Sequence, residues 1–349
     1  MSDRYVLVLA GGRGERFWPW SRPERPKQLL PLAPGGRSLL AATLDRATRV
    51  VSADRVLVLT ARDLVPAVRR ECGPQVEVIG EPVGRNTAAA IGAAAARFLE
   101  RSSRAVLAVM PSDHLIEDTA AFAADLEHAF TAAERERVLL TFGIRPSHPE
   151  TNFGYVRRGA RIHDRLHRVA QFTEKPDMER ARAWVASGEY WWNSGIFVWG
   201  AATFLDALEA SRPALAAPLR ALTGAGARFG DRLDQVFPAL ESVSVDYAVL
   251  EHAPNVLVLE AGFDWDDLGS WSAWARRQPH DPRGNVCFGD ALVVDCDGCV
   301  VVGDGGTAAA VALRDTVVVH ANGATLSCPL DRADQVRRVS EALKTRGRP

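Results

Sequence analysis

Short apolar runs alternate with longer amphipathic stretches along the first part of the chain. Residues 5–9, 55–59, 76–79, 105–109 and 138–142 are brief, largely aliphatic segments, the signature of strands buried on both faces. Between them, residues 39–50, 64–72, 87–99 and 120–135 repeat apolar positions every three or four residues and predict helices. That rhythm predicts a parallel sheet with helices on both sides. Strands at 154–157, 168–173 and 196–199 sit among helices and predict an inserted, partly antiparallel subdomain. Beyond Pro279-His-Asp-Pro-Arg-Gly284 the pattern changes again. Residues 285–328 are Val-rich segments punctuated by Gly and Asp, read as small β coils or a short β-helix, and an amphipathic helix follows at 332–344. The division is expected near residue 283, giving domains 1–282 and 283–349.

The length of 349 residues suits two domains with a substantial core. With 47% hydrophobic residues and a net charge of -1, a disordered chain is excluded. The same balance argues against a dedicated nucleic-acid or membrane-surface binder, which carries a basic excess. Met-Ser-Asp-Arg runs straight into the first strand, with nothing resembling a targeting segment. The longest uncharged helical run, 86–96, is well short of the ~20 apolar residues of a membrane span. A soluble, cytoplasmic protein is the expectation.

Five cysteines, Cys72, Cys287, Cys296, Cys299 and Cys328, suggest reduced thiols. Cys296 and Cys299 have CxxC spacing, flanked by Cys287 and Cys328, which admits a zinc site. No second CxxC exists, and ordinary buried or turn cysteines are the better reading. Of 42 basic residues 39 are arginine, and only Lys27, Lys175 and Lys344 are lysine. Taken alone, that bias carries no function.

The first strand leads into Ala10-Gly-Gly-Arg-Gly-Glu-Arg16, followed by Pro26-Lys27-Gln28. A glycine-rich turn at the carboxyl end of a parallel strand lets backbone N–H groups close on a phosphate. Phe17 stands where a Rossmann GxGxxG needs its third glycine, and the Gly-Lys-Ser/Thr of a P-loop is absent. The loop instead offers the cations Arg13, Arg16 and Lys27. The plainer alternative is a glycine turn with solvated arginines. Likewise Asp113 reads either as a ligand at a strand's carboxyl end or as a turn aspartate, and Glu81 as a surface turn before a helix capped by Asn86 or Thr87.

The element GGxGxRxxPxSxxxxPKQ over residues 11–28 resembles the signature of sugar-1-phosphate nucleotidyltransferases. Glu81-Pro-Val-Gly-Arg-Asn-Thr-Ala88, Met110-Pro-Ser-Asp-His114, Phe172-Thr-Glu-Lys-Pro176 and Trp192-Asn-Ser-Gly-Ile-Phe197 resemble the mannose-1-phosphate guanylyltransferase branch. So do Val245-Asp-Tyr-Ala-Val249 and Asp264-Trp-Asp-Asp-Leu-Gly-Ser-Trp271. Phe17, Trp20 and Leu29 depart mildly from the pattern. The resemblance implies an α/β fold: a Rossmann-like (GT-A-like), mainly parallel mixed-sheet domain followed by a small left-handed β-helix. It also implies transfer of GMP from GTP to α-D-mannose 1-phosphate, releasing diphosphate.

On this resemblance, Arg16 and Lys27 serve the transferring phosphoryl group. Ala10, Gly11, Gly12, Arg13, Gly14, Glu81, Arg85, Asn86 and Ser112 serve the nucleotide, with Glu81 as acceptor for guanine N–H groups. Gly154, Glu174, Lys175 and Asn193 serve the sugar phosphate. Asp113 and Asp267 hold Mg²⁺ or Mn²⁺, with Asp264 and Asp266 as alternatives to Asp267. Tyr190-Trp-Trp192 reads as core with a partial pocket wall. Partners are the two small-molecule substrates, with no nucleic acid or membrane, and a homodimer formed through the tail. Rival readings are a nucleotidyltransferase for another base or sugar, a non-catalytic sugar-nucleotide-binding regulator, and a bifunctional isomerase. The last is disfavoured because no His-rich metal motif follows the β coils.

Overall fold

The computed structural model describes residues 3–12 and 14–346. The chain divides into two compact units. One comprises residues 1–11, 43–112 and 116–265, and the other 12–42, 113–115 and 266–349.

The first unit is built on nine strands: β1 (Arg4–Ala10), β2 (Val56–Ala61), β3 (Glu77–Glu81), β4 (Val106–Pro111), β5 (Leu139–Ile144), β6 (Gly154–His163), β7 (Leu166–Glu174), β8 (Tyr190–Gly200) and β9 (Val256–Glu260). They form one sheet in the order β3-β2-β1-β4-β8-β5-β9-β7-β6. β1 to β4 are mutually parallel, as the aliphatic runs predict, so Ala10, Glu81 and Pro111 all lie at carboxyl ends of neighbouring strands. Residues 154–200 do not make an inserted subdomain. β8 runs antiparallel between β4 and β5, in the middle of the sheet. Its sequence, YWWNSGIFVWG, is buried along nearly its whole length, and only a central strand provides cover on both faces. Tyr190, Trp191 and Trp192 are accordingly all buried. The Ala-rich helix Asn86–Leu99 is almost entirely buried too, its small side chains allowing close packing on the sheet.

The second unit contains β10 (Val286–Val294), β11 (Val300–Val311), β12 (Thr316–Ala321) and β13 (Ala324–Pro329). β10, β11 and β12 pair in parallel as successive coils, and β13 turns back antiparallel on β12. Val286, Val300, Val302, Val317 and Val319 point into one cluster with Phe17, Trp20, Trp271 and Trp274. Trp20 stacks on Trp271 at 5.8 Å between ring centroids and donates from Nε1 to Asp304 at 2.8 Å. The departures at Phe17 and Trp20 are thus core residues that fasten the glycine-rich segment to the coils. Cys296 and Cys299 are buried in a smaller apolar cluster, and all five cysteines are unpaired. The closing segment starts as a 3-10 turn at Leu330–Gln335 and is α-helical only over Val336–Thr345. No helix of the described residues is long and apolar enough to cross a membrane.

Candidate active site

In the second unit, Gly14, Arg16, Lys27, Asp113 and Asp267 line one cavity of about 400 Å³, together with Glu15, His114 and Arg337. Lys27 is its centre and is only 6% exposed. Its ammonium donates to Asp113 Oδ2 at 2.9 Å and to the backbone carbonyl of Asp267. Gly14 makes this placement possible. At φ +62° it sits against Lys27 so closely that an added Cβ would lie 2.4 Å from the lysine's N and Cβ. Arg16 donates from Nη1 to the Gly269 carbonyl at 3.4 Å. The Gly12 carbonyl accepts from Gln28 Nε2 at 3.0 Å, which ties the loop to the lysine segment. Arg13 lies outside the described residues.

The two carboxylates differ. Burial pushes Asp113 up, but the charges of Lys27 and His114 outweigh it and hold the group below its ordinary value. Its side chain still presents 39% of its surface to the cavity. Asp267 is pushed up to about 6, by burial first and by the neighbouring Asp266 and Asp113 charges, against the pull of Lys27. Asp264 and Asp266 are otherwise engaged. Asp264 Oδ1 accepts from the backbone of Glu117 and Asp118 at 3.0 and 2.7 Å. Asp266 pairs with Arg277 at 3.5 Å and accepts from Leu268 N at 2.8 Å. Two carboxylates opening on one cavity form a hard-oxygen donor set that suits Mg²⁺ or Mn²⁺, which complete their shells with phosphate oxygens and water. The chemistry of the donors therefore fits such an ion.

In the first unit, Ala10 and Ser112 are buried, with Ser112 N donating to Leu9 O at 3.0 Å. Glu81 ends β3 beside Gly11, where an added Cβ would stand 3.5 Å from Glu81 Oε2. Burial alone pushes Glu81 up to about 7. Arg85 donates to the carbonyls of Phe237 and Pro238. Neither Asn86 nor Thr87 caps the helix that follows. Asn86, at φ +62°, accepts from its neighbour Thr87 N at 2.9 Å, and Thr87 Oγ1 accepts from Val245 N at 2.8 Å. The Val243 carbonyl instead accepts from Ala88 N at 3.2 Å, satisfying one N–H of the first turn.

The remaining four residues come together on β6, β7 and β8. Gly154 opposes Glu174 across the β6–β7 ladder, and a Cβ there would meet Glu174 Oε2 at 2.5 Å and Asn193 Cβ at 3.3 Å. Asn193 Oδ1 accepts from Thr141 Oγ1 at 2.7 Å, and its Nδ2 donates to Asp246 Oδ1 at 3.1 Å. Lys175 Nζ lies 3.5 Å from Glu174 Oε1 and is 57% exposed. Burial pushes Glu174 up to about 7, with Asp246 and Glu251 adding to the rise and Lys175 opposing it. Asp246 is itself raised by burial. Sequence reasoning missed Asp246, Glu251, His114 and Arg337. The Val245–Val249 run was the available signal for Asp246, but nothing in it singles out the carboxylate.

The family model for nucleotidyl transferases matches residues 5–283, and one for a MannoseP isomerase/GMP-like beta-helix domain matches residues 289–343. The chain is 37% identical over 347 residues to a mannose-1-phosphate guanylyltransferase of Escherichia coli, covering 97% of this chain and 73% of that one. It is 38% identical over 354 residues to the xanthan biosynthesis protein XanB of Xanthomonas campestris, covering 100% and 75%. A solved structure from Thermus thermophilus, described as a mannose-1-phosphate geranyltransferase, superposes with a TM-score of 0.90 at 37% identity, covering 98% of this chain and 100% of that one.

Proposed function

The chain belongs to the nucleotidyl transferase family, and from that premise we propose how its residues divide the work of GDP-mannose synthesis. It transfers GMP from GTP to α-D-mannose 1-phosphate, giving GDP-mannose and diphosphate. The sugar phosphate is already an oxyanion, so its attack on the α-phosphorus needs no general base. The obstacle is charge. Each like-charged pair at 4 Å costs about 1 kcal/mol in water and about 4 kcal/mol at an effective dielectric near 20.

Arg16, Lys27 and Arg13 offset that charge on GTP. Arg16 offers a planar fork to phosphate oxygens, and Lys27 a compact ammonium at the transferring group. The backbone N–H groups of Ala10, Gly11, Gly12 and Gly14, and Ser112, serve the nucleotide phosphates. A divalent cation held by Asp113 and Asp267, Mg²⁺ or Mn²⁺, neutralises phosphate charge when bound. The engagement of Asp264 and Asp266 elsewhere supports Asp267 as the second ligand. Glu81 accepts from guanine N1–H and N2–H, with Arg85 and Asn86 beside it. Lys175 holds the sugar phosphate, while Glu174, Asn193 and the Gly154 backbone address hydroxyls. Asn193 retains one Nδ2 hydrogen beyond its bond to Asp246.

The observation that carries this reading is the buried ammonium of Lys27, held under Gly14 between Asp113 and Asp267. A matrix of nucleoside triphosphates and sugar 1-phosphates, read by diphosphate release, tests it. GTP with mannose 1-phosphate is expected to give the highest kcat/KM, and a higher value for any other pair overturns the assignment.

We further propose that the catalytic and β-coil domains meet near residue 283 and that the protein works in the cytoplasm, in keeping with its unpaired cysteines. Exposed Leu292, Val294 and Val311 on the coils support a homodimer formed through the tail. Light scattering that finds only monomer at micromolar concentration removes the dimer.

A further inference from the structure

One wall of the phosphate cavity comes from a part of the chain that no motif covers. Arg337, in the closing helix Val336–Thr345, lines the same cavity as Gly14, Arg16, Lys27, Asp113 and Asp267. We propose that Arg337 is a further ligand of the diphosphate portion of GTP, and of the diphosphate released. The proposal rests on the function given above and deepens it.

Three observations carry it. First, the helix backbone is fixed against the loop. Ser340 Oγ donates to the Glu15 carbonyl at 3.1 Å, Lys344 pairs with the Glu15 carboxylate, and Val336 and Ser340 are buried. Second, the guanidinium itself is loosely held. It is 60% exposed and lies 3.9 Å from Glu15 and 3.0 Å from Glu341. Exposed pairs of this kind contribute little, whereas a charge-assisted bond to a phosphate is stronger. The side chain therefore gains by turning from its carboxylates to a polyanion.

Third, Arg337 adds a cation beside Arg16 and Lys27 in a lining that also carries the carboxylates of Glu15, Asp113 and Asp267. A triphosphate brings several negative charges to that lining, so each further cation stabilises it. Arginine also presents a fork that spans two phosphate oxygens, which suits diphosphate better than a sugar hydroxyl.

The test titrates inorganic diphosphate with Mg²⁺ into the full chain by calorimetry and measures steady-state kinetics in both directions. Arg337→Ala is expected to raise the Kd for diphosphate and the KM for GTP about tenfold, as for loss of one charged hydrogen bond, with Arg337→Lys recovering part of it. KM for mannose 1-phosphate stays within about twofold on the same scale. Lys344→Ala removes a cation from Glu15 and an anchor of the helix but does not line the cavity, so it should move these constants far less than Arg337→Ala does. An unchanged diphosphate Kd in Arg337→Ala overturns the proposal. So do equal effects in the two variants, which mark helix anchoring alone. Failure of the functional reading looks different: the wild type would not form GDP-mannose at all.

Discussion

In the second unit a buried ammonium, Lys27, pairs with Asp113 and donates to the Asp267 backbone carbonyl, with the cations Arg16 and Arg337 in the same cavity. In the first unit three carboxylates, Glu174, Asp246 and Glu251, gather around a single exposed ammonium, Lys175. The first arrangement suits phosphates, whose charge needs cations set in place beforehand. The other is rich in acceptors, which suits a ligand made mostly of hydroxyl donors. The contrast also explains the glycines. Gly14 yields space to a cation, and Gly154 yields space to a carboxylate.

The contrast breaks most sharply at Gly14. Gly14→Ala puts a Cβ on Lys27 at a left-handed φ, so the loop must shift. A fall in kcat of about 10²-fold is expected, on the scale of a misplaced catalytic group, with a loss of stability above about 1 kcal/mol. Activity within twofold of wild type would mean that Lys27 does not need this seat. On the acceptor side, Glu174→Gln should raise KM for mannose 1-phosphate about tenfold, roughly the value of one charged hydrogen bond, and leave KM for GTP alone. A selective rise in the GTP constant instead would assign Glu174 to the wrong substrate.

Glu81 gives a pH signature. Its folded pKa of about 7 exceeds the ordinary 4.5, so the folded state binds the extra proton. Stability then falls as pH rises from 4.5 to 7, and the penalty is fully present above 7, at most about 3 kcal/mol. Glu81→Gln removes it. The variant should melt higher than wild type at pH 8, and their difference should shrink towards pH 4.5. Because guanine donors favour the carboxylate, wild-type KM for GTP should rise below pH 7, and this rise should be absent in the variant. Parallel melting at both pH values would contradict the burial argument.

Much of this was legible along the chain. The five early strands lie within two residues of their expected positions, since strands buried on both faces must be aliphatic runs. Gly14, Arg16, Lys27, Asp113 and Asp267, which we assign to the phosphates and their metal, were legible as motifs, and they do share one cavity. What was hidden depends on contacts between distant segments. Nothing local says that β8 belongs between β4 and β5, or that Asp246 bonds Asn193. Nothing around Lys344 signals that it pairs with Glu15 in the glycine-rich loop. All three lysines of an arginine-dominated chain thus sit at, or fasten, the elements assigned to phosphate.

The division of labour between those lysines is the centre of the account. Measuring kcat and both KM values in Lys27→Ala and Lys175→Ala tests it most directly, with folding checked by circular dichroism. Lys27→Ala is expected to lose kcat while its KM for mannose 1-phosphate is retained, and Lys175→Ala to raise that KM while KM for GTP is retained. The same pattern of loss in both variants, or the reverse assignment, would contradict the account.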